Sequence, residues 1–187
     1  TTLFRSHTEL SFATLLGGPW VLGGLEIRGV IDRVDARGDE RRIIDYKTND
    51  SPRPVAEAHL GRRLTAARLA EGWPDWQLHH DAHGHVRAWR DLQLPLYALA
   101  ARQAWGRHPE TGYFHLAKAA DDCRYESWTE LTPELLAHAE TCALGVVDAI
   151  RRGIFWPPRE VGRFDDFGWL LADGAETAVD PAALIVT

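Results

Sequence analysis

Apolar and polar residues alternate along the first fifty positions in the pattern typical of β-strands. The segments 7–16 (HTELSFATLL), 20–36 (WVLGGLEIRGVIDRVDA) and 40–48 (ERRIIDYKT) combine this alternation with β-branched residues, which are common in strands. Gly38 and Asp39 lie between the last two segments, and such a pair is typical of a two-residue hairpin turn. We therefore predict strands over these segments, the last two joined as an antiparallel hairpin.

The rest of the chain shows helical spacing at three places and strand-like patterns at two. Helices are predicted over residues 54–72, 91–105 and 132–153, and a strand pair over 111–118 and 123–131. Asp91 and Thr132 are placed to cap the second and third helices, and Gly153 ends the third. Strands interleaved with helices predict an α/β fold with a central mixed β-sheet flanked by α-helices.

Composition and cysteine content narrow the class of protein. With 45% apolar and 26% charged residues over 187 positions, the chain is long enough for one globular domain spanning residues 1–187. It contains no methionine, so we expect it to be the C-terminal part of a longer polypeptide. No stretch resembles a signal peptide or the roughly 18 apolar residues of a membrane helix. The two cysteines, Cys123 and Cys142, are expected to be small core residues in a reducing cytoplasm.

The charge balance bears on nucleic acids as partners. A net charge of -6 argues against a protein that coats nucleic acid by charge alone. Local basic patches are compatible with that total, and one of them comprises Arg62, Arg63 and Arg68. Such a patch can follow a phosphate backbone, although an ordinary solvated face explains it equally simply.

The predicted hairpin carries two carboxylates where strand residues are expected to be buried. A turn at Gly38–Asp39 sets the register so that Asp32 faces Asp45. Side chains alternate along a strand, so Lys47 shares the face of Asp45 while Tyr46 points away. Two facing carboxylates repel each other unless a cation lies between them. Hard oxygen ligands suit Mg²⁺ or Mn²⁺, and the backbone carbonyl of Tyr46 can add another oxygen.

Lys47 has a chemical use beside such a metal. Its ammonium can hold and polarise an attacking water, or neutralise charge that develops on a phosphate. The simpler alternative is a hairpin that bears ordinary surface charges, and we expect this of Asp35, Asp39 and Glu40. It does not suit the facing carboxylates and the lysine, because valines and isoleucines surround them in the sequence.

Three motifs together resemble a known family. The segments GVIDRVD (29–35), IIDYKT (43–48) and QLPLYAL (93–99) occur in the order typical of the RecB-type branch of the PD-(D/E)XK nucleases. The resemblance implies a restriction-endonuclease-like fold and metal-dependent cleavage of DNA phosphodiesters in recombination and repair. The implied partners are DNA and a helicase subunit or an N-terminal helicase-like region of the same chain, with no membrane involved.

The resemblance also assigns roles to individual residues. It implies that Asp32 and Asp45 ligate the metal and that Lys47 is the catalytic lysine. Gln93 and Tyr97 match a Q-x-x-x-Y element, and their four-residue spacing places both on one helix face. From there an amide and a phenol can brace the lysine or the DNA strand.

The chain departs from the family pattern at two places. Many relatives complete the metal site with an upstream His or Glu on a helix, and here Glu9 and His7 are the nearest candidates. Neither is predicted to be helical, so the further ligand is expected from these two residues or from a residue before Thr1. Some relatives hold an iron–sulfur cluster on four cysteines, and two cysteines cannot form one, so none is expected.

Three alternatives stay open on the sequence. A histidine-rich segment offers zinc ligands, although polar residues around a glycine also fit a loop; its members are His79, His80, Asp81, His83 and His85. A catalytically silent DNA-binding or scaffolding module of a helicase–nuclease complex would keep the same fold. A phosphoesterase for small phosphates needs a phosphate-cradling glycine loop, and the glycines of residues 15–24 instead predict a turn between strands.

Overall fold

A computed structural model describes residues 5–48, 53–70 and 72–154. Its strands are β1 (Arg5–Ser11), β2 (Trp20–Leu22), β3 (Leu25–Ile27), β4 (Val30–Arg37), β5 (Glu40–Lys47), β6 (Leu78–His80), β7 (Val86–Ala88), β8 (Glu110–His115) and β9 (Arg124–Ser127). Its α-helices are α1 (Phe12–Leu16), α2 (Val55–Leu60), α3 (Ala66–Leu69), α4 (Gln93–Trp105) and α5 (Pro133–Arg151). Short 3-10 turns cover Asp75–Gln77 and Ala120–Asp122.

The chain divides into two compact units, residues 1–145 and 146–187. All nine described strands belong to the first unit, and only residues 146–154 of the second are described. The expectation of one domain spanning residues 1–187 stays a prediction, and the aromatic, proline-rich segment that follows residue 154 lies outside the described residues. Among the described helices, none combines the length and the apolar content that crossing a bilayer requires.

Five strands form the central sheet in the order β1-β4-β5-β8-β9. β5 and β8 are parallel, whereas the other neighbouring pairs are antiparallel, so the sheet is mixed as predicted. A parallel pair needs a long crossover, and here the crossover carries α2, α3, the β6–β7 hairpin and α4. This path returns α4 to the strand that carries Asp45 and Lys47.

The predicted register of the β4–β5 hairpin is confirmed between the turn and Arg33, which pairs with Ile44, and the predicted pair Asp32–Asp45 lies just beyond the end of this ladder. Val34 pairs with Ile43, and the ladder runs on to Arg37 and Glu40 at the turn. Gly38 adopts a φ of 58°, which a two-residue hairpin turn of the type common in proteins requires.

The core lies between the sheet and the helices of the first unit. Val34, Ile43 and Tyr113 are buried strand residues of this core. α4 adds Leu94, Ala98 and Ala101, and α5 adds Leu136, Ala139 and Cys142. Each fully buried large apolar side chain contributes about 1.5–3 kcal/mol relative to exposure. Burial of Cys142 agrees with the prediction for that cysteine, while Cys123 is only half-buried.

The predicted strand over residues 7–16 is wrong in its second half. Ser11 Oγ accepts a hydrogen bond from the Thr14 backbone N–H at 3.1 Å, which starts α1. Gly17 ends the helix in the left-handed conformation, with a φ of 72°. A local cap and a glycine stop thus outweigh an alternation pattern that continues across the boundary.

The predicted helix over residues 54–72 is wrong as a single element. Gly61 leaves the helical conformation with a φ of 64° and a ψ of -174°, and α2 ends there. Thr65 Oγ1 then accepts a hydrogen bond from the Arg68 backbone N–H at 3.3 Å and starts α3. Helical spacing on both sides of the break gave the sequence the appearance of one helix.

The predicted strand over residues 20–36 is divided into β2, β3 and β4, of which β2 and β3 form a separate two-stranded sheet. The remaining predicted elements are confirmed with small shifts. β8 and β9 pair antiparallel, and α4 and α5 lie where helices were expected. The N-cap position of α4 is Leu92 and not Asp91, although the Asp91 carboxylate accepts a hydrogen bond from the Gln93 N–H at 2.6 Å. Thr132 Oγ1 accepts from the Leu135 N–H at 3.2 Å and caps α5 as predicted.

Candidate active site

The end of β5 places a carboxylate and an ammonium together. Asp45 and Lys47 are two residues apart and share one face of the strand, and Lys47 Nζ lies 2.7 Å from Asp45 Oδ2. The side chain of Asp45 is 3% exposed, whereas that of Lys47 is 31% exposed. The carboxylate therefore lies in the core and the ammonium reaches the solvent.

Asp32 reaches the same strand end from β4. Its Oδ2 accepts a hydrogen bond from the backbone N–H of Tyr46 at 3.1 Å, which holds the carboxylate between the positions of Asp45 and Lys47. The tyrosine side chain points to the other face of the sheet, where its hydroxyl accepts a hydrogen bond from Arg33 Nη1 at 3.2 Å. Asp32 on β4 and Asp45 on β5 thus both lie at the end of β5.

The surroundings of Asp45 disfavour its negative charge. Burial is the largest cause that raises the pKa of Asp45; Lys47 opposes it, and the charges of Asp32 and Asp91 add to it. Oδ2 of Asp45 forms the ion pair with Lys47, but this contact lacks the geometry of a hydrogen bond. Asp45 Oδ2 is therefore a buried acceptor without a hydrogen-bond donor. A cation between the carboxylates of Asp32 and Asp45 would offset the cost of burying the charge and the cost of the unsatisfied acceptor.

α4 contributes the amide and the phenol of the Q-x-x-x-Y element. Gln93 Oε1 accepts a hydrogen bond from Lys47 Nζ at 3.1 Å, and Gln93 Nε2 donates to the Tyr97 hydroxyl at 3.1 Å. Burial raises the pKa of Tyr97, so the phenol stays neutral. The structure therefore joins Asp45, Lys47, Gln93 and Tyr97 into one chain of contacts, which we call the lysine network.

The oxygen atoms at this place fit a hard divalent cation. Asp32, Asp45 and the backbone carbonyl of Tyr46 are the oxygen donors that Mg²⁺ and Mn²⁺ prefer. Within the described ranges, no three side chains of His, Cys, Asp or Glu group closely enough to form a complete metal site. Water or substrate oxygens would have to complete the coordination, as is usual for Mg²⁺.

Glu9 and His7 lie on β1, exposed to solvent. The neighbours of Glu9 pair with Arg33 and Ile31 of β4, so Glu9 stands opposite Asp32 in the register. It is the one non-glycine residue with a positive φ, 54°, in the described part of the chain. Such backbone strain costs about 1–3 kcal/mol and is found most often at functional sites. The position of Glu9 thus leaves it available as the further ligand.

Asp35 was predicted to be an ordinary surface charge, and this is wrong. It is 7% exposed and accepts hydrogen bonds from Arg33 Nε at 2.7 Å and from Ser6 Oγ at 2.6 Å. Burial acts against the charge, but these donors hold the pKa of Asp35 below its usual value. The pair of buried Asp35 with the half-exposed Arg33 lies on the sheet face opposite Asp45, where Asp35 and Ser6 join β4 to β1.

The histidine-rich segment forms the loop of the β6–β7 hairpin. Asp81 Oδ1 accepts hydrogen bonds from the backbone N–H groups of His83 and His85, each at 2.9 Å. This is the loop alternative that the sequence left open. His79 and His80 lie on β6, and no group of three metal ligands forms among the described residues, so zinc is unsupported there.

The three arginines of the predicted DNA-binding patch line one groove. Its volume is about 400 Å³, and Arg53 and Arg90 line it as well. We call these five residues the basic groove: Arg53, Arg62, Arg63, Arg68 and Arg90. Glu57 also lines the groove and lies 3.5 Å from Arg62 Nε, and both DNA binding and the solvated-face alternative stay untested predictions.

Sequence reasoning missed the residues that lie behind Lys47. Its Nζ is 4.8 Å from the centre of the Tyr113 ring, and the Tyr113 hydroxyl is 2.6 Å from His59 Nε2. No motif of the sequence marks His59, and the parallel pairing of Tyr113 with Asp45 has no local signal in the sequence. The crossover between β5 and β8 brings His59 and Tyr113 close to Lys47.

A comparison with protein families identifies the class. A sequence profile of the PD-(D/E)XK nuclease superfamily matches residues 3–162. The match covers most of the chain, and the chain therefore belongs to this superfamily. Its members are usually nucleases that cleave nucleic-acid phosphodiesters, and they generally use divalent metal ions. The mixed sheet with flanking helices agrees with the restriction-endonuclease-like fold. No curated protein and no solved structure matches the chain.

Proposed function

We propose that this chain is a metal-dependent DNA nuclease of the RecB-type branch. It hydrolyses phosphodiester bonds in DNA recombination and repair, joined to a helicase subunit or to a helicase-like region of the same polypeptide. The observation that carries the proposal is the lysine network, which meets Asp32 at the end of β5.

Asp32 and Asp45 hold the metal in this proposal, with the Tyr46 carbonyl as a further oxygen. Bound there, Mg²⁺ or Mn²⁺ supplies a Lewis acid that polarises a phosphate oxygen and acidifies water. Glu9, which stands opposite Asp32 in the sheet register, is the first candidate for an additional ligand, and His7 is the second.

Lys47 acts on the reacting groups. Its ammonium forms an ion pair with Asp45 and donates one hydrogen bond to Gln93 Oε1, which leaves N–H donors for the attacking water or for a phosphate oxygen. As the water oxygen bonds to phosphorus, the bond to the leaving oxygen of the strand breaks. A fixed cation at this place stabilises the charge that develops in the transition state.

The basic groove supports DNA as the substrate. Arg90 lines the groove and precedes Asp91, whose carboxylate accepts a hydrogen bond from the Gln93 N–H at 2.6 Å. The groove is thus joined to the lysine network by a short stretch of hydrogen-bonded backbone. Phosphates bound by the arginines would place the strand near Lys47 without selecting a base sequence.

A matched pair of variants tests the proposal. Asp45→Asn removes a proposed ligand, whereas Asp39→Asn changes an exposed carboxylate at the hairpin turn. End-labelled single- and double-stranded DNA is incubated with each protein in Mg²⁺, Mn²⁺ or a chelator. We expect metal-dependent cleavage by the wild type and by Asp39→Asn, and a loss of about 100-fold or more in Asp45→Asn.

Two other outcomes would reject the proposal. Equal cleavage by Asp45→Asn and the wild type would remove Asp45 from the metal site. DNA binding without cleavage by the wild type in either metal would favour the catalytically silent scaffolding module. The buried charge of Asp45 argues against that module, because an unneeded buried carboxylate costs several kcal/mol.

A further inference from the structure

Lys47 touches an aromatic ring that is not part of the Q-x-x-x-Y element. Its Nζ lies 4.8 Å from the centre of the Tyr113 ring, and Tyr113 pairs with Asp45 across the parallel strands β5 and β8. A cation within about 6 Å of the centre of an aromatic ring is attracted to the ring face. The ring is therefore a third contact of the ammonium, after Asp45 and Gln93.

His59 fixes the Tyr113 ring from the opposite end. The Tyr113 hydroxyl lies 2.6 Å from His59 Nε2, and His59 Nδ1 lies 3.0 Å from the backbone oxygen of Asp91. A carbonyl only accepts hydrogen bonds, so Nδ1 carries the proton and Nε2 accepts from the phenol. Burial lowers the pKa of His59 and raises that of Tyr113, which keeps both groups neutral and this polarity in place.

The contacts close into a ring around the lysine. His59 is fully buried, and its hydrogen-bond acceptor Asp91 also binds the Gln93 N–H through its carboxylate at 2.6 Å. Gln93 in turn accepts the hydrogen bond from Lys47. The Asp91–Gln93 segment is therefore connected to the Lys47 ammonium in two ways. Gln93 binds it directly through its side-chain amide, and Asp91 is connected to it through His59 and the Tyr113 ring.

We propose that Tyr113, held by His59, is a positioning residue that fixes the Lys47 ammonium beside Asp45 and Gln93. An aromatic face attracts the whole charge and does not require an N–H to point at an acceptor atom. An N–H of the ammonium therefore stays available for the substrate. The catalytic consequence of this inference rests on the proposed nuclease function, whereas the placement of Lys47 does not.

The first test separates turnover from substrate binding. Tyr113→Leu removes the aromatic face and should lower kcat by about tenfold while KM changes by less than about threefold, because a misplaced ammonium loses contacts mainly in the transition state. Tyr113→Phe keeps the face and should retain kcat within about threefold. A residue with only a packing role would not show this rescue by an aromatic side chain together with an unchanged KM.

The second test needs no activity. An aromatic ring shifts the NMR signals of protons above its face upfield, so the side-chain CH₂ protons next to Lys47 Nζ should be shifted in the metal-free full-length chain. Tyr113→Phe should keep the shift and Tyr113→Leu should abolish it. If the wild type fails to cleave DNA, the nuclease proposal fails, and this measurement still decides whether Tyr113 positions Lys47.

A matched control lies on the same sheet. The guanidinium of Arg42 lies 4.7 Å from the centre of the Tyr125 ring, so Tyr125→Leu removes a similar cation–aromatic contact away from Lys47 and should leave kcat unchanged. Tyr113→Met, whose unbranched side chain adapts to irregular space, replaces Tyr113→Leu if that variant does not fold. An unshifted Lys47 signal in the wild type, equal kcat in folded Tyr113→Leu, or an equal loss in Tyr125→Leu would overturn the inference.

Discussion

Asp45 is a buried carboxylate whose cost in stability is not explained by a purely structural role. Asp45 is 2% exposed, and burial is the main reason that its pKa is raised. Replacing such a group by an apolar residue of similar size is often neutral or stabilising in other proteins. A buried, incompletely paired carboxylate is therefore typical of a functional site, where stability is lower than the fold alone would allow.

One buried histidine and two half-buried ones have lowered pKa values. Burial is the main cause that lowers the pKa of His59, of His79 and of His138. In His138, Nδ1 accepts a hydrogen bond from Trp89 Nε1 at 2.9 Å, and a hydrogen bond to the Leu78 backbone acts against the shift. Protonation of His138 would break the contact with the tryptophan.

We predict that the free energy of unfolding decreases as the pH falls below about 6.5, the usual histidine pKa. In the unfolded chain these histidines take up a proton near that pH, and in the folded chain they do so only at lower pH. Protons therefore favour the unfolded state, by at most about 1.4 kcal/mol per pH unit for each histidine in the window between its two pKa values. Urea titrations from neutral pH to about pH 5 measure this slope.

Two variants assign the slope to burial. His138→Gln removes one half-buried titrating group and should flatten the slope, whereas His83→Gln changes an exposed histidine of the β6–β7 loop and should leave it as it is. A slope that is the same in His138→Gln and the wild type would show that His138 does not couple folding to protons.

Site residues could be placed from the sequence only where strand alternation and a local turn fix their positions. Strand alternation and the Gly38–Asp39 turn placed Lys47 and the two carboxylates on one strand end, and the ladder has that register. Asp35 could not be placed in the same way, because its partner Ser6 lies on another strand. Alternation tells which residues share a face, but not what covers that face.

At the scale of elements, α4 and the segment that precedes it connect the candidate site to the basic groove. α4 begins at Gln93, so its first residue is also the one that binds Lys47. The residues just before the helix include Arg90, which lines the groove. In the described part of the chain, the hydrogen bonds of the lysine network include none of the arginines of the basic groove, so we expect that neutralising these arginines leaves the network in place.

Neutralising the groove should weaken DNA binding in a salt-dependent way. The variant Arg62→Gln/Arg63→Gln/Arg68→Gln removes up to three phosphate contacts, so the slope of log Kd against log salt should decrease by up to about 3. Fluorescence anisotropy with labelled DNA of unrelated sequences, in Ca²⁺, measures the slope. The loss should be similar for each sequence, because phosphate contacts carry no base information.

A second triple variant controls for total charge. Arg28→Gln/Arg37→Gln/Arg124→Gln removes the same number of exposed arginines from other places. If both triple variants change the slope equally, the effect is one of net charge, and the groove is only a solvated surface.

The elements were predicted well where their ends carry local signals. Thr132 and Gly153 mark α5, and the structure has the helix between them. The break at Gly61 was missed because glycine inside an apolar helical pattern is compatible with a continuous helix. Its cause is tertiary, since a side chain added at Gly61 would meet Arg90 at 2.8 Å.

The whole molecule uses one crossover to assemble the candidate site. Asp32 and Asp45 come from the hairpin, whereas Gln93 lies within the crossover between β5 and β8 and Tyr113 follows it. The class of fold was predictable from the order of strands and helices, and the superfamily match agrees with it. The contacts of Tyr113 could not be predicted, because parallel pairing joins residues that are far apart in sequence.

Lys47 is the residue on which the proposed nuclease activity depends most directly. The chain has one other lysine, Lys118, which is exposed, so Lys47→Ala and Lys118→Ala form a matched pair. Each protein is tested for DNA binding in Ca²⁺, which is expected to occupy the site without supporting cleavage, and for DNA cleavage in Mg²⁺. Melting temperatures confirm that both variants are folded.

This comparison is the most direct test of the central claim. We predict that Lys47→Ala binds DNA as the wild type does in Ca²⁺ and cleaves it about 100-fold more slowly, or worse, in Mg²⁺, because a fixed cation acts mainly on the transition state. Lys118→Ala should cleave at the wild-type rate. If folded Lys47→Ala also cleaves at the wild-type rate, Lys47 is only a counter-ion for Asp45, and the proposed mechanism is wrong.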